Sequence, residues 1–287
     1  MKKFLCLILI ASTLLSCKSN SKQTVKDTAT NTLTIDSSSA LIKTFKPIIK
    51  GMWVKSAYID ELNKTRSPYN SWPKLNNVAA MEIETDSIKA DSLVAGESLN
   101  NHEGTNFTVY FKRGHKKGSL KIGLKDYDVS TNFYELGYVI TSVDTNLFLY
   151  HYNNKNQILD STKYTRVLSA LLNDDMGSGI EYITNKTLIT GKYTYVDSTG
   201  TISKVEFKND GKVSGFLGFK SYYLNTDFMA GPQNNLDVID FDVNTDKQKE
   251  YGYKIDGDTI GLFTTKSNAD STKLLLDKIV YKLTKTK

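Results

Sequence analysis

The sequence predicts an all-β protein: two tandem, internally duplicated antiparallel β-barrel units behind an export signal and a flexible tether. Two observations carry that expectation. Apolar residues alternate with polar ones over short runs bounded by Gly, Asn and Asp turns, as in Phe107, Val109 and Phe111. A stretch of one half also recurs in the other, Asp126-Tyr-Asp-Val-Ser-Thr-Asn132 returning 114 residues later as Asp240-Phe-Asp-Val-Asn-Thr-Asp246. Composition sets the bounds. With 287 residues, 39% of them hydrophobic and 24% charged, the chain is long enough for two domains and is neither wholly disordered nor a polytopic membrane protein.

The N-terminus supplies an address. Met1-Lys2-Lys3 is a positive start, and the apolar run from Phe4 to Leu15 is too short to span a hydrocarbon core about 30 Å thick, so it reads as a cleavable signal over 1–16. The run ends in Leu14-Leu15-Ser16-Cys17, which resembles the lipobox of bacterial lipoproteins. The resemblance implies diacylation of Cys17, cleavage before it, and stable anchoring by two or three acyl chains. Residues 17–41, rich in Ser, Thr, Asn and Lys, read as a lipidated tether with about 25–30 Å of flexible reach. The expected location is the bacterial cell envelope, on a periplasm-facing outer membrane.

Cys6 and Cys17 are the only cysteines, which leaves the body without a disulfide, a thiol nucleophile or a Cys-ligated metal. The formal charge of +6 falls to about +4 once Lys2 and Lys3 are removed, too mild for a nucleic-acid partner. The densest basic run, Lys112-Arg-Gly-His-Lys-Lys-Gly118, lies between alternating segments and reads as a solvated hairpin tip, with anionic lipid headgroups as its alternative contact.

Along the first unit, 42–168, a short helix is expected over Ser39–Lys50. Strands follow at 107–111 and 120–124, joined by the basic turn. The Arg66-Ser-Pro-Tyr-Asn-Ser-Trp-Pro73 segment has two prolines that argue against regular structure. Its aromatics, Tyr69 and Trp72, suit a loop over a barrel mouth and are the candidate ligand contacts. Further short helices are expected around Thr165–Asn173 and Thr272–Asp277. A linker over 169–187, with Asp174-Asp175 and Gly177-Ser-Gly179, separates the units.

In the second unit, 188–287, Val205 and Phe207 lead through Asn209-Asp210-Gly211 to Val213, a sequence favouring a type I′ hairpin turn, and Asp256-Gly257-Asp258 marks another. The repeat continues with Glu135, Gly137, Tyr138 and Ile140 against Glu250, Gly252, Tyr253 and Ile255, and Asp144-Thr145 against Asp258-Thr259. Such a period marks a duplicated domain, far longer than a solenoid repeat. Gly51-Met-Trp53 parallels Gly191-Lys-Tyr193, and this arrangement resembles the lipocalin-like domains of bacterial lipoproteins. The resemblance implies that a basic residue near the last strand packs over the first strand's aromatic ring and closes the barrel. The implied pairs are Trp53 with Arg166 and Tyr193 with Lys282.

Chemistry is sparse. The three histidines, His102, His115 and His151, have no metal-ligand spacing, and no nucleophile elbow, Walker loop or dinucleotide fingerprint is present. The alternation at Asp126, Asp128, Asp240 and Asp242 admits two readings: solvated faces of strands whose other residues are apolar, or the start of calcium loops, though Thr131 and Thr245 stand where such a loop needs Gly. No cofactor or reaction is implied. The expectation is a non-enzymatic, membrane-anchored protein that binds or carries a small apolar or amphipathic molecule. The alternative is an interaction lipoprotein with filled barrels that docks other envelope proteins.

Overall fold

A computed structural model describes residues 37–100, 103–142, 144–171, 178–197, 199–228 and 233–286. The signal, Cys17 and nearly all of the tether lie outside these. Among the described residues no helix is long and apolar enough to cross a membrane.

Helix α1, Ser38–Ile49, is where the sequence places it. The Ser37 hydroxyl accepts from Ala40 N–H at its start, and Leu41, Phe45 and Ile49 form the buried face. Strand β1, Gly51–Lys55, runs directly into helix α2, Ser56–Thr65, which ends at Arg66 with a left-handed φ of 56°. Here the structure departs from expectation. Helix α3, Pro68–Ser71, and a 3₁₀ turn, Trp72–Leu75, give regular structure to the proline segment. Pro68 stands in the first turn, where the missing N–H costs nothing, and Ser67 caps it by accepting from Asn70 N–H.

Strands β2 (Ala80–Ile83), β3 (Ser92–Ser98), β4 (Gly104–Arg113), β5 (Ser119–Lys125), β6 (Phe133–Ile140), β7 (Thr145–Tyr152) and β8 (Ile158–Leu168) then follow. With β1 they form a closed eight-stranded antiparallel barrel in sequential order. The seam is β1 on β8, with Trp53 opposite Arg166. The helix expected at 165–173 is therefore in part the end of β8, because Tyr164 and Arg166 are needed on the barrel's inner face.

The segment expected to be a linker contains helix α4, Ser178–Leu188, whose Ile180, Thr184 and Leu188 are buried. Strands β9 (Gly191–Val196), β10 (Ile202–Phe207), β11 (Val213–Ser214), β12 (Tyr222–Leu224), β13 (Val238–Phe241), β14 (Lys249–Asp256), β15 (Thr259–Ser267) and β16 (Leu274–Lys285) form a second antiparallel sheet. Its order is β11-β10-β9-β16-β15-β14-β13-β12. The helix expected at 272–277 falls largely within β16. The two ends of this sheet meet at a single bridge, Lys212 with Ser221, flanked by hydrogen bonds from Val213 N–H to Lys220 O and from Tyr222 N–H to Gly211 O. The Asn209–Gly211 turn has positive φ at Gly211 alone, so it is a three-residue turn with a left-handed glycine, not type I′.

Both copies of the repeated motif fall on the connection between a fifth and a sixth strand, β5 to β6 and β13 to β14. The first copy is loop throughout, whereas the second starts with the last two residues of β13, Asp240 and the buried Phe241, and leaves the strand at Asp242. Asp126 folds the chain by accepting from Asp128 and Val129 N–H, and Asp242 and Asn244 adopt left-handed φ values of 47° and 62°. Val129 and Val243 are accordingly exposed.

Candidate functional site

One end of the first barrel is shut. Phe45 of α1 meets Tyr138 edge-on at 5.1 Å, Trp53 Nε1 donates to Ile49 O at 2.8 Å, and Arg166 donates to Ile48 O. The Arg166 guanidinium lies 4.6 Å from the Trp53 ring centre, so one cation covers the ring and holds the helix end. In the second sheet it is Lys285, not Lys282, that lies over Tyr193, at 5.8 Å. Lys285 shares a strand face with Tyr281 and Leu283, whereas Lys282 points to the other side.

The opposite end is open. A cavity of about 470 Å³ enters there, walled by Trp72, Leu75, Val78, Leu99, Leu149 and Tyr164, with a polar set from Lys55, Asp126, Asp128, Tyr134, His151 and Asp160. The turn Trp72–Leu75 supplies one wall, the β5–β6 loop another, and the ends of β7 and β8 the third. Trp72, the first residue of that turn, lines the cavity. Tyr69 does not line the cavity; its ring packs edge-on against Phe228 at 5.3 Å, and its backbone N–H donates to Asp237 at 2.7 Å.

Within the polar set, His151 is held on both sides. Its Nε2 is 2.8 Å from Asp126 Oδ2 and its Nδ1 is 2.9 Å from Asp160 Oδ2, while Tyr134 stacks on the ring at 4.4 Å. The Val129 backbone N–H does most to hold the Asp126 carboxyl down at about 2, against the cost of burial, with Asn132, Asp128 and His151 adding to it. Lys55, whose affinity for a proton is lowered by burial, donates to the carbonyl and the side-chain oxygen of Asn76.

The calcium candidates make bonds of their own. Asp126 spends its oxygens on Asp128 N–H, Val129 N–H, Asn132 and His151, and Asp242 accepts from Lys220 N–H, Ser221 N–H and the Ser221 hydroxyl. Asp240 is paired across the sheet with Glu250 on β14, and burial raises both carboxyls. Among the described residues no group of three or more acidic, His or Cys side chains is placed to hold a metal ion. The four aspartates are loop and sheet residues.

The basic hairpin tip is likewise more ordered than a solvated turn. It closes over Glu135, which accepts from His115 N–H and Nδ1, both at 2.6 Å, and from Ser119 Oγ at 2.6 Å. Burial works against the Glu135 charge, yet the Ser119 hydroxyl and the His115 amide outweigh it and hold the carboxyl below its ordinary value.

The residues that sequence reasoning passed over share one signal: each is polar yet in phase with an apolar strand face. His151 continues Leu147 and Leu149, Asp160 and Thr162 continue Tyr164, and Glu97 continues Leu93 and Ala95. Comparison with family models, with curated proteins and with solved structures finds no match for this chain.

Proposed function

We propose that the protein is an exported, lipid-anchored binding protein whose first barrel holds a small amphipathic molecule in its open end. The observation that carries this is the cavity itself. A volume of about 470 Å³ with apolar walls and a few convergent polar groups suits a small ligand. The rest of that barrel is filled by Trp53, Phe107, Phe111 and their neighbours.

Binding is favoured over catalysis because the one histidine in the cavity wall, His151, has both ring nitrogens engaged by carboxylates. The second sheet is read as the duplicated, filled partner of the first barrel. It repeats the eight-strand order, carries the shared motif on the same connection, and packs Phe207, Phe216, Tyr222 and Phe241 against one another inside. Eight sequential antiparallel strands agree with the lipocalin-like resemblance. The anchor rests on the lipobox at Cys17 alone.

Native mass spectrometry of protein purified gently from cells tests the binding reading. The wild type is expected to retain a small-molecule adduct that Thr162→Phe, which pushes a ring into the cavity, loses. A bare mass for both would overturn it.

A further inference from the structure

The inner face of β3 runs Leu93, Ala95, Glu97, all buried, and the next residue in this phase, Leu99, lines the cavity. Glu97 therefore faces the barrel interior one step behind Leu99; it does not itself line the cavity, but its charge is felt by Tyr134 and Tyr164, which do. It is 1% exposed, and neither carboxylate oxygen has a hydrogen-bond partner among the described residues. An orphan pair of acceptors at this depth costs several kcal/mol when charged. The surrounding chain does not relieve it: Met81 stands opposite on β2, and the Tyr164 hydroxyl donates to Val78 O at 2.8 Å.

We infer that the molecule held in the cavity carries a protonated amine and that Glu97 receives it at the inner end. This rests on the cavity being a binding site. An ammonium brings both N–H donors and the opposite charge, so it answers the two deficits of Glu97 together. A hydroxyl brings one donor and leaves the charge uncompensated, and a carboxylate adds a second like charge. The mouth carries three carboxylates, Asp126, Asp128 and Asp160, beside two lysines, Lys55 and Lys125. Of the basic side chains in the wall, Lys55 is committed to Asn76 and His151 to Asp126 and Asp160, and Lys125 stands next to Asp126 in the chain. Trp72, Tyr134 and Tyr164 put aromatic rings in the cavity wall, that of Tyr134 with one face stacked on His151. Burial alone pushes the Glu97 carboxyl up to about 7.

The test compares octylamine, octanol and octanoate at neutral pH on the full chain, following Trp72 fluorescence against the constant background of buried Trp53. Octylamine is expected to bind about tenfold tighter than octanol or more, with octanoate weakest, as befits a charge-assisted hydrogen bond. In Glu97→Gln, amine and alcohol should become equivalent, while Glu97→Asp, which keeps the charge, retains part of the preference. If octanol or octanoate matches the amine, the cavity still binds and the role given to Glu97 is wrong. If none of the three binds at about 1 mM, the cavity reading falls and takes this inference with it.

Discussion

Glu97 also leaves a signature in stability that needs no ligand. Burial moves its carboxyl from the ordinary 4.5 of a glutamate to about 7 in the folded chain. Between those values the folded protein keeps a proton that the unfolded chain has released. Stability therefore falls as pH rises through this window and levels off above it. At 1.36 kcal/mol per unit the loss is on the order of 3 kcal/mol. Glu97→Gln cannot ionise, so its urea midpoint should match the wild type near pH 5 and exceed it near pH 8. Parallel curves for the two proteins across that range would show that Glu97 is already paired or hydrated.

At the scale of elements, the two Gly-x-aromatic openings have different tolerances. Gly51 has φ +124°, and a Cβ there would collide with the backbone carbonyl of Leu168 across the barrel seam. Gly191 has φ +144°, but its Cβ would meet Lys285 Cε at 2.8 Å, the flexible part of a side chain. Both alanine variants carry positive-φ strain of about 1–2 kcal/mol; Gly51→Ala must also part β1 from β8. Thermal unfolding should rank Gly51→Ala well below Gly191→Ala. Equal losses would mean that the seam yields as easily as a lysine chain. These same openings show what could be read in advance. Period-2 alternation marked the hairpin strands, and Trp53 with Arg166 followed from a family pattern. Helices α2 and α4 escaped because few of their buried positions are apolar, Tyr58 and Leu62 in α2 and Ile180 and Leu188 in α4, the others being Ser, Gly, Thr or Asn, whereas the three buried positions of α1 are all apolar. The acidic motif misled for another reason. Its period of 2 was real, but Asp126 turns the chain by accepting from the amides two and three residues on, and Asp242 ties its loop to the distant Lys220 and Ser221 amides, uses of carboxylates that alternation does not reveal.

Across the whole molecule, the halves share one core. Val54, Tyr58, Leu62 and Leu75, from the first half, belong to the same buried cluster as Ile180, Leu188, Tyr193, Phe207 and Phe241. The Tyr58 hydroxyl is hydrogen-bonded to Thr184 at 2.7 Å within it. Calorimetry should accordingly show a single transition, and Tyr58→Ala should lower it as a unit by about 3–5 kcal/mol. Two transitions would show that the sheets melt independently. A truncation to 178–287 should fail to fold, lacking the α2 side chains that complete its interior. At the other end of the chain, Cys17→Ser should release the protein from the membrane fraction; continued sedimentation with membranes would refute the anchor.

The wall of the cavity is not the first barrel's alone. Trp72 faces the cavity while its ring lies 6.5 Å from that of Phe228, and Asn100, another lining residue, donates to Thr226 O at 2.9 Å. A guest that shifts this wall does work on the second sheet, and by thermodynamic reciprocity anything that grips the second sheet near Phe228 changes the guest's affinity by the same factor. The protein is in that sense a balance with one pan hollow and the other solid, and a weight placed on either is felt at both.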